Sequence, residues 1–154
     1  MKKEIFFSTF LMFSLSLFAQ DMSVPKVVKE SFTKQYPKIV DVKWDKEGDE
    51  EYEAEFTNNG IKTSVVIDED GEIEETEIAL NLDDLSLDIL NYVKENYSSY
   101  EITEAAKITD EDGNVFYEAE ISKGDSKTDL LFDSNGNPVK KQKEAEEYDE
   151  EDED

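Results

Sequence analysis

One alternating pattern of apolar and acidic residues occurs twice in the chain. The run Tyr52-Glu53-Ala54-Glu55-Phe56 recurs as Tyr117-Glu118-Ala119-Glu120-Ile121. Strict alternation predicts a β-strand with one face on a hydrophobic core and the other towards solvent. The match continues beyond the strand at a constant offset of 65 residues, pairing Asp68 and Gly71 with Asp133 and Gly136. A match of this length indicates an internal duplication.

Each half of the chain begins with a helical pattern. Apolar residues recur at every fourth position, first as Val24, Val28, Phe32 and Tyr36, and later as Leu85, Ile89, Val93 and Tyr97. This spacing predicts an amphipathic helix with one buried stripe. In the first half the helix ends before Pro37, because proline disfavours a helical residue in front of it.

Four strands are predicted after each helix. In the first half they cover Val40 to Trp44, the Tyr52 run, a strand through Ile67 and a strand from about residue 72 to 80, with Asn58-Asn59-Gly60 as a hairpin turn. The second half repeats the plan over Ile102 to Ile108, the Tyr117 run, Lys127 to Phe132 and a short last strand. One helix on four strands makes a small core. We therefore predict an α+β fold, in which two tandem helix-plus-four-strand repeats share one antiparallel sheet with both helices on one face.

The ends of the chain differ in composition from the repeats. Lys2 and Lys3 precede an apolar run from Ile5 to Phe18 and the small residue Ala19. This order is typical of a secretory signal peptide, and the run is shorter than the ~20 apolar residues of a membrane-spanning helix. The predicted division is a signal peptide over 1–19, repeats over 20–82 and 83–142, and a disordered acidic tail over 143–154. We expect an exported protein, periplasmic or secreted, without membrane insertion after cleavage.

Composition excludes several classes of function. The formal net charge is -25, and Cys, His and Arg are absent. Disulfides, thiolate nucleophiles, imidazole bases and bidentate guanidinium clamps are therefore excluded. An acidic surface also repels nucleic acid and anionic membranes. We expect no cofactor, no nucleic-acid partner and no enzymatic activity. Glu53 and Glu55 lie about 7 Å apart along a strand and resemble a carboxylate pair, but a flat sheet offers no cleft to raise one pKa.

Acidic turns raise an alternative function, calcium binding. The candidate ligands are Asp68, Asp70, Asp110, Asp112 and Asp133. A helix-loop-helix calcium site needs more oxygen ligands before its glycine and a bidentate glutamate after it. Asp and Gly at these positions are also what a tight turn requires. The pattern therefore favours turns and predicts no metal site, with weak calcium binding as the alternative.

The candidate binding surface is the sheet face that the helices leave uncovered, called the open face below. If Tyr52 and Ala54 point to the core, alternation places on the open face Glu53, Glu55, Lys62, Val66, Glu118, Glu120, Lys127 and Leu131. Val66 and Leu131 are expected to be exposed apolar residues among charged ones. An antiparallel sheet commonly has one ordinary solvated face, so the alternatives are a solvated surface and a surface that binds a partner.

The motifs resemble the PepSY-like family of exported bacterial proteins, whose fold is akin to the β-lactamase inhibitor protein. The resemblance rests on Val24-Pro25, Tyr36-Pro37, Trp44, the two Tyr-Glu-Ala-Glu runs and Asp68-Glu69-Asp70-Gly71. It departs at Leu85-Ser86, where the family has Leu-Pro, and at Tyr97, which no proline follows. The resemblance implies an inhibitor-like or protease-regulating role, and the family carries no catalytic residues over to this chain. We therefore expect a binding module for an extracytoplasmic protein, with an acidic, calcium-responsive protein as the alternative.

Overall fold

The computed structural model describes residues 23–48 and 50–139. The predicted signal peptide and acidic tail lie outside the described residues. The helices are α1 (Lys26–Gln35) and α2 (Leu87–Asn96), with a single 3-10 turn at Leu82–Asp84. The strands are β1 (Lys43–Glu47), β2 (Glu51–Asn58), β3 (Ile61–Asp68), β4 (Ile73–Ala79), β5 (Glu101–Asp110), β6 (Val115–Lys123), β7 (Ser126–Asp133) and β8 (Pro138–Val139).

All the described strands form one antiparallel sheet in chain order, from β1 to β8. Two helices and an eight-stranded sheet give an α+β fold, as predicted. Each strand pairs with the next one along the chain, through short connections except between β4 and β5, where the 3-10 turn and α2 intervene. At the β2–β3 turn both Asn59 and Gly60 have positive φ, 51° and 85°. Two positive φ angles identify the twisted hairpin turn that an Asn-Gly pair predicts.

Helix α1 packs on the first half of the sheet. Its buried residues Val28 and Phe32 contact a cluster that includes Ala54, Val65 and Ile67. The Phe32 ring meets Phe56 edge-to-face, with 5.1 Å between the ring centroids. Aromatic pairs at this distance contribute stabilisation beyond their buried area. The alternation read from the Tyr52 run therefore places Ala54 and Phe56 towards the core, as predicted.

Helix α2 packs on the second half in the same way. Ser86 caps its first turn by accepting a hydrogen bond from the Ile89 N–H. Its buried residues Ile89 and Val93 contact a second cluster, which includes Ala119, Ile121 and Phe132. Both helices lie on the same face of the sheet, because the strand pairing carries one row of residues from the first cluster to the second. That row is Phe56, Thr63, Ile78, Lys107, Tyr117 and Phe132.

Strand β1 begins later than predicted and ends later, at Glu47. The sequence pattern places Val40 in a strand, but pairing with β2 begins at Lys43, opposite Glu55. Val40 is 96 % exposed, in a segment that precedes the strand. Alternation alone predicted a strand here because Val40, Val42 and Trp44 have the correct spacing. The prediction was wrong for Val40, because it has no partner on β2.

Strand β4 lies between the two helices. It contributes Ile73 to the margin of the first cluster, and no other β4 residue belongs to either cluster. On the helix side Ile78 is 36 % exposed, whereas Glu75 and Glu77 are buried on the open face. The usual arrangement of buried apolar and exposed acidic residues is therefore reversed at the centre of the sheet.

Candidate functional site

Much of the open face is buried, although neither helix covers it. Val66 is 4 % exposed and Leu131 is 3 % exposed. The prediction that these two residues are solvent-exposed was wrong. We infer from this burial and from the cleft on the same face that the sheet is concave here, so that side chains of neighbouring strands cover one another. Sheet twist and curvature, which alternation does not encode, produce this burial.

A cleft of about 590 Å³ occupies the concave side. Its walls are the segment 38–41 and strands from β1 to β6. The acidic side chains that line it are Asp41, Glu55, Glu77, Glu104, Glu118 and Glu120, and the lysines are Lys38, Lys43 and Lys62. This volume lies in the range of ligand-binding pockets. The expectation of a flat sheet without a cleft was therefore wrong.

The structure brings together half of the predicted open-face residues. Those that line the cleft are Glu55, Lys62, Glu118 and Glu120. Glu53 is half-buried on β2 beside Val66, its partner on β3. Leu131 faces Glu118 across β6 and β7, and Lys127 is exposed further along β7. The predicted set therefore lies on one face, and its centre is the cleft.

Ion pairs lie at both ends of the open face. The Lys43 ammonium donates to Asp45 and to Glu55, the latter at 2.9 Å. The hydrogen bond to Asp45 is the main reason that the pKa of Lys43 rises to about 12. At the other end Lys127 pairs with the buried Glu120 at 2.9 Å, and the Thr103 hydroxyl donates to the same carboxylate. These contacts offset part of the negative charge of Asp45, Glu55 and Glu120.

The centre of the face contains buried carboxylates that sequence reasoning missed. Glu75 and Glu77 on β4 are buried, as is Asp110, the partner of Glu75 on β5. Burial, followed by the charge of Glu118, raises the pKa of Glu75 to about 8 and that of Glu77 to about 9. Glu74 and Glu75 are adjacent in the sequence, so alternation on β4 is ambiguous. The signal that locates them is register, since Ser64 and Val66 pair with Glu77 and Glu75.

Glu77 is a buried carboxylate without a polar partner in the described residues. It is 6 % exposed and lines the cleft. Among residues 23–48 and 50–139, no donor forms a hydrogen bond or an ion pair with its carboxylate. Within the same residues, every fully buried side-chain polar atom has a hydrogen-bond partner. The Glu77 oxygens therefore retain their accessibility at the cleft, where a ligand could reach them.

The pKa of Glu53 also rises, to about 6, mainly because of burial. A hydrogen bond from Ser64 opposes this rise, and the Glu55 charge adds to it. Glu55 is paired with Lys43, so the two carboxylates of the predicted pair have different environments. Unequal environments of two neighbouring carboxylates are a feature of glycosidases. The raised pKa of Glu53 shows that the expectation of a flat sheet unable to raise one pKa was wrong.

The acidic turns share one hydrogen-bonding pattern. In the first turn the Gly71 N–H donates to the Asp68 carbonyl, and the Asp68 carboxylate accepts from the Glu72 N–H at 2.7 Å. Asp110 and Asp133 accept in the same way from the N–H groups of Asn114 and Asn137. The side-chain and backbone hydrogen bonds from Asn137 lower the pKa of Asp133. Asp70 and Asp112 occupy the third position of their turns and are exposed.

One group of carboxylates in the described residues has the spacing of metal ligands. Oxygens of Asp68, Glu72 and Glu74 lie within 4.8 Å of one another beside the β3–β4 turn. Asp68 is one of the predicted alternative ligands, and Glu72 and Glu74 are additions from the structure. The Asp68 carboxylate already closes the turn, so the geometry accounts for it without an ion.

The fold and the Tyr-Glu-Ala-Glu runs match a known family. A family described as beta-lactamase-inhibitor-like, PepSY-like matches residues 18–74 and again residues 50–140. The chain belongs to the PepSY-like family. No curated protein matches the chain at a significant level. Within residues 23–48 and 50–139, neither helix of this PepSY-like protein has the length and hydrophobicity needed to cross a bilayer.

Solved structures from Bacteroides share this PepSY-like fold. A protein described as periplasmic from Bacteroides eggerthii is 20 % identical, with a TM-score of 0.69 over 79 % of this chain and 89 % of that one. A DUF2874 family protein from Bacteroides ovatus is 23 % identical, with a TM-score of 0.66 over 77 % and 86 %. A BLIP-like protein from Bacteroides fragilis is 21 % identical, with a TM-score of 0.61 over 79 % and 86 %. At these identities the likeness establishes the fold.

Proposed function

We propose that this protein is an exported, non-enzymatic binding or inhibitor-like module, which recognises an extracytoplasmic protein partner through its open face. The cleft on that face carries the proposal. A concave surface with apolar and charged lining residues is the usual form of a binding site. The exposed Val40 stands at the cleft margin and adds apolar surface for a protein partner to cover.

Localisation outside the cytoplasm follows from two observations. Residues 1–19 have the composition of a signal peptide. The structural neighbour from Bacteroides eggerthii is described as periplasmic. We place the mature chain from residue 20, and expect periplasmic or secreted location.

The absence of catalysis is proposed from the chemistry of the cleft. The sequence has no His, Cys or Arg, and the family is inhibitor-like by description. The raised carboxylates at the centre of the face are several and mutually repelling, whereas a hydrolase needs one defined acid and one defined base. We further infer that residues 20–82 and 83–142 are tandem repeats, since α1 with Gly71 and α2 with Gly136 make corresponding contacts.

A calcium-responsive protein is the second candidate. The grouping of Asp68, Glu72 and Glu74 is the observation that favours it. Three carboxylates supply fewer oxygens than the six to eight that calcium usually takes. The group lies at a turn outside the cleft lining, so its test can be separated from that of the open face.

The proposed function is tested by protein capture with two charge-swap variants. The first variant, Lys62→Glu with Glu104→Lys, changes two exposed residues that line the cleft. The matched control, Lys26→Glu with Glu30→Lys, swaps an exposed ion pair on α1. Both variants keep the net charge of the chain. The mature chain and each variant are immobilised and exposed to the extracytoplasmic fraction of the source cell.

We expect the cleft swap to abolish capture of the partner, and the α1 swap to retain it. Circular dichroism and thermal melting establish that both variants fold. Equal capture by the two folded variants would contradict recognition through the open face.

A further inference from the structure

The charges that line the cleft select the chemistry of its occupant, which we infer on the basis of the proposed function. The acidic end of the cleft lies on β4 to β6, where Glu77, Glu104 and Glu118 line it. The lysine end lies on the segment before β1 and on β1 and β3. Lys43 is already paired with Asp45 and Glu55. The uneven distribution of charge therefore makes the β4–β6 end complementary to a cation.

Glu77 is the second, independent indication of a ligand. Burying a carboxylate without a hydrogen bond or a counter-ion is unfavourable. Its carboxylate has no such partner in the described residues, and its oxygens line the cleft. A cation that entered from the cleft would supply the missing partner. Buried charges in proteins are normally paired.

A metal ion fits this end of the cleft less well than a larger cation. Within residues 23–48 and 50–139, the carboxylates that converge closely enough for a metal are Asp68, Glu72 and Glu74, and none of them lines the cleft. The cleft carboxylates are instead spread over neighbouring strands. The cleft also has apolar lining, including Ala79, Ala106 and Val40. An aliphatic stem with a charged head matches such a lining, because the stem covers apolar surface while the head is solvated or paired.

We propose that the cleft binds a lysine- or arginine-bearing segment of a partner protein, with one cationic head at Glu77 and Glu118. The proposal commits to a protein segment because the exposed Val40 at the margin offers apolar contact that an ion leaves uncovered. The chain's own acidic character also speaks against a second copy of this protein as the occupant.

Binding of the cation is coupled to proton release. The raised pKa of Glu77, about 9, means that the empty cleft holds a proton at neutral pH. A cation at the carboxylate displaces that proton, so affinity increases as pH rises towards 9. The acidic groups on the same face are Glu53, Glu55, Glu75, Glu104, Asp110, Glu118, Glu120 and Asp129, and Asp41 lines the cleft before β1. The lysines on this side are Lys38 before β1, Lys43 on β1, Lys62 on β3 and Lys127 on β7. Lys43 pairs with Asp45 and Glu55, and Lys127 pairs with Glu120.

The test is calorimetric titration of the mature chain with a blocked eight-residue peptide of alternating lysine and serine, at physiological salt. A glutamate–serine peptide is the charge control. The variants are Glu77→Gln and Glu118→Gln, and Glu30→Gln on α1 removes one negative charge far from the cleft. We expect Glu77→Gln to weaken lysine-peptide binding by about tenfold or more, and Glu30→Gln to change it less than about twofold.

The pH profile adds a readout that bulk charge attraction does not reproduce. Lysine stays protonated up to pH 9. Wild-type affinity should therefore rise from pH 7 to 9 by up to about tenfold per pH unit. The rise should be clearly smaller in Glu77→Gln, where the neighbouring Glu75, with a pKa of about 8, still titrates. Equal loss in Glu77→Gln and Glu30→Gln would overturn the proposal, because it would show general attraction to an acidic chain.

Two further titrations, with spermine and with calcium chloride, test whether other cations bind the cleft as a protein segment is proposed to. Spermine that binds as tightly as the peptide, with the same loss in Glu77→Gln, would overturn the assignment to a protein segment. Calcium chloride that displaces the peptide at matched ionic strength would do the same. Absence of lysine-peptide binding would overturn the cationic occupant, while the capture experiment with the cleft swap still decides the proposed function separately.

Discussion

At the scale of single residues, Glu77 on the open face has a strongly raised pKa. Burial and the charges of Glu118, Glu75 and Glu53 raise its pKa from 4.5 to about 9. Between about pH 4.5 and pH 9, Glu77 therefore holds a proton in the folded state that it has lost in the unfolded state. The stability that this proton contributes is complete below about pH 4.5 and decreases as pH rises to about 9. This is the reverse of the usual behaviour of a salt-bridged carboxylate.

The first prediction is that Glu77→Gln stabilises the protein at pH 8. The substitution removes a group that must be either protonated or buried as a charge. We expect the free energy of unfolding to rise by roughly 1–3 kcal/mol, since one pKa unit corresponds to about 1.4 kcal/mol. The gain should disappear at pH 4, where both states of the wild type are protonated. Urea unfolding at both pH values measures it.

Glu104→Gln is the control for this effect, because Glu104 lines the same cleft but is exposed. Its stability should change little at either pH. A Glu77→Gln variant that is less stable than the wild type at pH 8 would show that the carboxylate is charged and paired.

Leu131 provides a second prediction at the residue scale. Because it is buried on the open face, Leu131→Ala should lower the free energy of unfolding by about 2–4 kcal/mol through loss of burial and a cavity. Val40→Ala, at an exposed position, should stay within about 0.5 kcal/mol. Chemical denaturation compares the two. A Leu131→Ala variant with an unchanged free energy of unfolding would instead support the original expectation that Leu131 is exposed to solvent.

At the scale of elements, the helices and turns are joined by close contacts at glycines. Gly71 lies in the β3–β4 turn with φ of 88°, and a Cβ there would come within 3.0 Å of the Val27 side chain on α1. Gly136 has the corresponding position against α2, 3.1 Å from the Ser86 hydroxyl. Glycine is therefore needed twice over, for the backbone angle and for the approach of the helix.

The third prediction compares Gly71 in the β3–β4 turn with Gly113 in the turn after β5, which serves as the control. Gly113 occupies the same position in the turn after β5, with φ of 80°, and a Cβ there meets nothing within 4 Å. Gly113→Ala should cost about 1–2 kcal/mol from the backbone angle alone. Gly71→Ala should cost more, because Val27 must also move. Thermal melting of both variants measures the difference, and equal costs would show that α1 does not press on the turn.

At the scale of the whole molecule, excess negative charge dominates. The formal net charge of -25 disfavours the compact state through self-repulsion. Any added salt screens that repulsion, so a rise in melting temperature with calcium does not by itself indicate a site.

The fourth prediction separates screening from site binding. Millimolar calcium should raise the melting temperature no more than a monovalent salt of equal ionic strength. The reason is that Asp68, Glu72 and Glu74 supply an incomplete ligand set. A larger shift that a chelator reverses, and that Glu74→Gln removes, would instead support the calcium-responsive alternative.

The sequence by itself determined the helices, most of the strands and the apolar residues that pack beneath both helices. Periodicity identified both helices and the central strands, because apolar spacing directly reflects which face of an element is buried. The Asn59-Gly60 turn and the Asp-x-x-Gly turns followed from the backbone angles that these residues tolerate. The sheet face carrying Glu53, Glu55, Glu118 and Glu120 was also predicted correctly, because alternation assigns side chains to faces.

Only the tertiary structure decided the shape and electrostatics of that face. Burial of Val66, Leu131 and Glu77 depends on how strongly the sheet curls, and curvature arises from the packing of all the strands together. The sequence did not show which side chains of β4 face the helices. Neither helix covers the centre of this strand, and its helix-facing side carries no alternating apolar residues. A pKa depends on the charges and solvent around a group in space, so the cleft and its protonated glutamate appear once distant strands are brought together.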